Sequence, residues 1–189
     1  MNSQANLLTF FSRLAIYTTI ILLIPLIGMQ FSEDITWNLF DFIFAGALLF
    51  GTGSSFVLIS RLSDNSRYRL ALGIGLFTAL FLVWANGAVG IIGSEDNPIN
   101  LLYFGVLLIL VFGALISQFK SKGLAIALFI TAGAQASTII IALLTGVHQS
   151  NEISITEIIL MNGLFATLFL TSGSLFWQVK EEHSKSEFN

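Results

Sequence analysis

Six long apolar stretches separated by short polar connections occupy the chain from residue 14 to residue 179. Crossing a hydrocarbon core of about 30 Å takes about 20 mainly apolar residues in a helix, and each stretch meets that length. The pattern predicts spans at 14–31, 35–60, 70–92, 100–119, 123–147 and 155–179. The expected fold class is therefore all-α: a polytopic membrane protein, a six-transmembrane-helix bundle forming a single membrane domain over 1–189. Connections this short are expected to set sequential spans antiparallel. The first apolar run continues through Pro25 without a small-residue cleavage site, so it reads as a span kinked at that proline rather than as a leader. The polar tail from Lys180 to Asn189 is expected to fray.

Charge orients this serpentine. The chain has 8 Lys and Arg: Arg13 precedes the first span, Arg61, Arg67 and Arg69 lie between the second and third, Lys120 and Lys122 between the fourth and fifth, and Lys180 and Lys185 after the sixth. The three remaining connections carry none. Because positive charge is retained in the cytoplasm during insertion, both termini are expected inside. The opposite face is acidic, with Glu33, Asp34, Asp41, Glu95, Asp96, Glu152 and Glu157 at or near the outer ends and only His148 to oppose them.

Composition agrees, since 55% apolar and 10% charged residues leave too little polar surface to cover a water-soluble globule of 189 residues. The absence of cysteine excludes disulfides, thiolate ligands and cysteine nucleophiles. The two histidines, His148 and His183, lie outside the spans, so intramembrane haem ligation, a Ser-His protease and a His-Glu-x-x-His metalloprotease all lack their residues. No cofactor is expected. Nucleic-acid binding is unsupported because the few cations are spread over four segments and serve topology. Gly51-Thr52-Gly53-Ser54-Ser55 resembles a phosphate loop only superficially: no lysine follows, and its place within a span points to close helix packing.

A parallel internal repeat of helical hairpins forms a second pattern. Ser32, Glu33, Asp34, Asn38, Leu39, Phe42, Leu48, Phe50, Gly51 and Ser55 recur 62 residues later as Ser94, Glu95, Asp96, Asn100, Leu101, Phe104, Leu110, Phe112, Gly113 and Ser117. The segments 32–92 and 94–147 read as two copies of one hairpin, related by an axis along the membrane normal. The competing explanation is that equivalent loops converge on the same capping residues.

Polar residues inside the spans nominate a site. Asp41 falls six residues into a span begun at Ile35, about 9 Å below its outer boundary at 1.5 Å per residue. At that depth a carboxyl needs a partner or water and would exchange protons with the outer phase. It shares a helical stripe with Trp37, Ala45, Leu48, Thr52 and Ser55. Asn86, on a stripe with Gly75, Ala79, Gly90 and Gly93, and Asn162 lie at comparable depth; Tyr103 and Glu157 lie nearer the boundary. Gln135 is near the midplane, aligned with Thr131 and Thr138. The expected site is an outward-opening polar cavity centred on Asp41, with Asn86, Asn162, Gln135, Tyr103 and Glu157 around it and Trp37 and Trp84 above. The alternative is that the neutral groups are interhelical hydrogen-bond partners, contributing about 0.6 kcal/mol each, and that the tryptophans belong to the interfacial belt. The outer carboxylates Glu33, Asp34, Glu95 and Asp96 have two readings as well, helix capping or a divalent-cation site.

The string Trp84-Ala85-Asn86-Gly87-Ala88-Val89-Gly90-Ile91-Ile92-Gly93-Ser94-Glu95-Asp96-Asn97-Pro98, with Asn100-Leu101, resembles a group of small bacterial multispanning membrane proteins of unassigned activity. That resemblance covers spans three to five and implies a bacterial inner-membrane location. In architecture alone the hairpins are similar to six-span acid-resistance membrane proteins. Three functions are expected in order: binding or conducting a small solute or proton from the outer face; a noncatalytic accessory or stress-related subunit meeting another membrane protein; and an intramembrane enzyme on a lipid-soluble substrate, with Asp41, Tyr103 and Glu157 as acid or base. The expected partners are the bilayer and a second copy or another membrane protein.

Overall fold

The computed structural model describes residues 2–33, 35–94, 96–147 and 153–179, and among them it is helical without a strand. Six helices are long and apolar enough to cross a membrane. They are α1 (Asn2–Phe31), α2 (Leu39–Ile59), α3 (Ser66–Ala88), α4 (Leu102–Ile116), α5 (Ser121–Leu144) and α6 (Ile155–Trp177), with 3₁₀ turns at Ser60–Leu62 and Pro98–Leu101. The expected spans are all present, with shifted ends. Helix α1 runs unbroken through Pro25. Helix α2 begins four residues after Ile35, because Asn38 caps it and the segment 35–38 is not helical. Helix α3 ends at Ala88, since Gly90 and Gly93 take φ of 71° and 70°. Those two glycines therefore leave the stripe expected to continue from Asn86. The tail from Lys180 to Asn189 and the residues His148 and Glu152 lie outside the described residues.

Contacts divide the chain into two compact units, 1–61 and 62–189. The first is an antiparallel hairpin. A Cβ at Gly46 would stand 3.3 Å from Leu22 and one at Gly53 2.5 Å from Leu14, so the α2 backbone lies close against α1 side chains. Phe11 and Phe50 rings meet at 6.2 Å, and the Arg61 guanidinium lies 6.0 Å from the Phe10 ring. Most of the α1 surface is exposed, as suits a lipid-facing helix.

In the second unit the lateral order is α3, α6, α5, α4. Helix α6, not α4, covers α3, which departs from the expectation that every sequential pair would pack side by side. Small residues are the reason. The Ser172 hydroxyl donates to the Ala71 carbonyl at 2.7 Å, and a Cβ at Gly75 would stand 2.9 Å from that hydroxyl oxygen. Tyr68 meets Phe176 edge-on at 5.1 Å, and Phe81 meets Phe165 at 5.3 Å, so α3 and α6 are antiparallel. Gly173 approaches Phe129 and the Ala125 carbonyl on α5, while Gly113 on α4 approaches Ala127. Backbones brought this near gain dispersion contact that lipid would otherwise supply. The Tyr68 hydroxyl donates to the Phe119 carbonyl at 2.9 Å and ties α3 to the α4–α5 turn. In that turn Gln118 and Phe119 hold left-handed φ of 51° and 60°.

Close packing at Gly173 is testable. Replacing it with Ala puts a methyl 2.8 Å from the Phe129 ring and 3.3 Å from the Ala125 carbonyl. We expect Gly173→Ala to lose about 1–3 kcal/mol of stability, the usual cost of overpacking. Gly163→Ala, where a Cβ meets nothing within 4 Å, should leave it unchanged or raise it by up to about 1 kcal/mol, the helix-propensity gain of Ala over Gly. Reversible unfolding in bicelles measures both; equal effects would refute the packing account.

Candidate functional site

The seven expected site residues divide among four places: a cluster on α4, α5 and α6, the starts of α2 and of α6, and a pocket between α3 and α4. Tyr103 from α4, Gln135 from α5 and Asn162 from α6 come together, and Thr138 joins them. The Asn162 Oδ1 oxygen accepts from the Tyr103 hydroxyl at 2.7 Å, from Gln135 Nε2 at 3.0 Å, and from the Thr138 hydroxyl at 2.7 Å. Its Nδ2 donates to the Ile158 carbonyl at 2.8 Å, which fixes which end of the amide faces the cluster. The Thr138 hydroxyl has one proton and two acceptors, Asn162 Oδ1 and the Gln135 carbonyl at 2.6 Å, so it serves one at a time. All four side chains are at most 2% exposed. The knot is sealed, and Gln135 Oε1 inside it has no hydrogen-bond partner. It joins three helices, and nothing opens it to solvent.

Asp41 belongs to the first unit. It is the third residue of α2, where its carboxylate accepts from the Asn38 N–H at 2.7 Å while the Asn38 side chain accepts from the N–H groups of Phe40, at 2.7 Å, and Asp41, at 3.3 Å. This reciprocal cap satisfies the free N–H groups of a helix start and sets an acid against the positive end of its dipole. The six residues counted from Ile35 become three, so Asp41 lies in the first turn of its helix. Trp37 precedes the helix and packs against Phe42, with ring centroids 5.2 Å apart. Glu157 repeats the arrangement on α6: it accepts from the Ser154 N–H at 2.8 Å and the Ser154 hydroxyl at 3.0 Å, and lies exposed. The three groups expected to do acid or base work are each engaged, two as helix caps and one in the knot.

Asn86 lines a pocket of about 380 Å³ where α3 ends and α4 begins. Asp96, Asn97, Asn100 and the apolar groups of Pro98, Leu101 and Phe104 complete it. Its rim is held by Asn100, 4% exposed, whose Oδ1 accepts from the N–H groups of Ile91 and Ile92 at 3.2 and 3.0 Å. The Asn100 Nδ2 donates to the Ser94 carbonyl at 2.9 Å and, at 3.4 Å, to that of Ile92. Asn97 caps the 3₁₀ turn by accepting from the Ile99 N–H at 3.1 Å. Asn86 differs from both: its Oδ1 is closed off from water and has no partner. Sequence reasoning placed Asn86 in the site but missed Asn97 and Asn100; the signal was Asn-Pro-x-Asn in the connection between α3 and α4, an Asx turn followed by a second amide.

Of the outer carboxylates, Asp34 and Glu95 lie outside the described residues. No group of three or more metal-ligating side chains occurs among the described ones. No family model, curated protein or solved structure matches the chain.

If the knot fastens α4, α5 and α6, removing its hub must cost more than removing a spoke. Tyr103→Phe should lose about 0.6–1.7 kcal/mol, the range for hydrogen bonds between membrane helices. Asn162→Leu should lose about 2 kcal/mol or more, because it strands the donors of Tyr103 and Gln135. Adding Gln135→Leu to Asn162→Leu should restore part of that loss, a non-additivity readable by unfolding in bicelles. Additive losses would count against a shared acceptor.

Proposed function

We propose that the protein is a six-span protein of the bacterial inner membrane, both termini cytoplasmic, that binds a small ligand at its outer face through the pocket between α3 and α4. The observation that carries this reading is the Asn86 amide, with one end shut away unpartnered and the residue lining a pocket large enough for a small organic molecule. A buried acceptor left unsatisfied costs about 1–3 kcal/mol, which a ligand that turns and engages the amide would recover. The proposed site is thus centred on Asn86 rather than on Asp41. Binding is proposed rather than conduction, because Tyr103, Gln135 and Asn162, three of the polar groups expected around a cavity, are sealed. The string that carries the family resemblance also builds this pocket.

A second reading, the noncatalytic accessory subunit, is favoured by the knot: Tyr103, Asn162 and Thr138 are consumed in holding helices together, which leaves the surface for a partner. It predicts a membrane protein co-purifying at fixed stoichiometry. It also predicts that Gly87→Phe leaves ligand responses unchanged.

Orientation is tested by cysteine labelling, clean here because the chain contains no cysteine. In spheroplasts, Ser94→Cys should react with an impermeant maleimide and Asp64→Cys only after lysis. The reverse pattern would invert the topology and bury the pocket in the cytoplasm. Ligand binding is tested by thermal unfolding in nanodiscs against small solutes of each charge class. At least one class should stabilise the wild type but not Gly87→Phe, which fills the pocket at a position where a Cβ meets nothing within 4 Å. No stabilisation by any class would sink the binding reading.

A further inference from the structure

The wall of the pocket between α3 and α4 selects a class of ligand. Of its three amides, Asn100 is committed at both ends to the backbone and the Asn97 oxygen is committed to the Ile99 N–H. The polar groups left for a ligand are the Asn86 amide, the Asn97 NH₂ and the Asp96 carboxylate, which is exposed and has no ion-pair partner among the described residues. No Lys or Arg occurs between Arg69 and Lys120, or between Lys122 and Lys180. An anion entering here would meet the Asp96 carboxylate and no Lys or Arg of the lining, and a polyol would find too few free groups. A cation is drawn toward such a surface and held by the carboxylate. The remaining wall, Pro98, Leu101 and the half-exposed Phe104 ring, suits a short hydrocarbon chain.

Resting on the reading of this pocket as a ligand site, we propose that it takes a protonated primary amine. The ammonium group donates to Asp96 and to the Asn86 oxygen, and the carbon chain lies against Pro98, Leu101 and Phe104. Asn86 reaches the ligand by rotating its side chain, which brings out the oxygen that is shut away in the free protein. Two sources supply this chemistry at the end of a membrane helix: a free alkylamine, or the ethanolamine headgroup of a neighbouring lipid.

Phe104 lines the pocket, so a tryptophan placed there (Phe104→Trp) reports on it once Trp37, Trp84 and Trp177 are changed to Phe. In nanodiscs of phosphatidylcholine and phosphatidylglycerol, butylamine should shift the emission of this reporter saturably. Butanol and butyrate, of similar size but neutral and anionic, should not. Asp96→Asn and Asn86→Leu should each weaken the butylamine response at least tenfold, whereas Asp64→Asn, an exposed carboxylate on another connection, should leave it unchanged. Discs containing phosphatidylethanolamine distinguish the sources: an emission already shifted, with a blunted butylamine response, assigns the site to the headgroup; an unaltered titration assigns it to a free amine. The proposal is overturned if butanol or butyrate acts as butylamine does, or if Asp96→Asn titrates like the wild type. Silence toward every solute and in both lipid mixtures overturns the underlying binding reading instead.

Discussion

A hydrocarbon interior offers a polar group no water, so every amide or hydroxyl placed there must find its partner within the protein. The single Asn162 oxygen answers that requirement for α4, α5 and α6 together. It accepts from Tyr103, Gln135 and Thr138, each on a neighbouring helix. Because its own NH₂ is held by the Ile158 carbonyl one turn earlier, the acceptor cannot turn away. Three helices are thereby fixed in rotation and in depth at one point, and the rest of the second unit is arranged around it.

Small residues then determine how close the helices come. Gly75 and Ser172 bring α3 onto α6, Gly173 brings α6 onto α5, and Gly113 brings α4 onto Ala127. With α6 seated against α3, α4 lies on the far side of α5, and the chain between α3 and α4 has to cross the end of the unit. That crossing is the segment Ile91 to Asn100, pinned by the Asn100 amide. The pocket lined by Asn86 and Asp96 forms under it. The knot and the pocket thus differ in access: one is sealed around the Asn162 oxygen, the other is open beside the Asn86 amide.

Much of this was legible beforehand. Hydrophobic length marked all six helices, and the spacing of Thr131, Gln135 and Thr138 marked the face of α5 that is now fully buried. The placement of Asp41 failed for a local reason also present in the sequence. Asn38 followed three residues later by Asp41 is a helix-start signal, as is Ser154 followed by Glu157. Taking Ile35 as the start of the span overrode that signal and counted a carboxylate of the first helical turn as six residues in rather than three. Gly90 and Gly93 misled in the opposite direction: their helical spacing from Asn86 suggested a packing stripe, whereas their left-handed backbone ends the helix. The aligned pair Asn38 and Asn100 shows that identical residues 62 apart need not act alike, since one caps its own helix and the other clamps a loop.

The amino-acid sequence determined by itself what depends on neighbours along the chain: which segments are apolar enough to cross, where helices are capped, and on which connections the positive charge falls. Which helices touch was decided only by the tertiary structure, because an apolar helix surface is as compatible with lipid as with another helix, and small residues or a stray amide select the partner only once the shapes meet. The same holds for the fate of the three buried-looking amides. Asn162 and Gln135 sit at positions no more polar in sequence than Asn86, yet they bond to each other across two packed helices while Asn86 is left beside an open pocket.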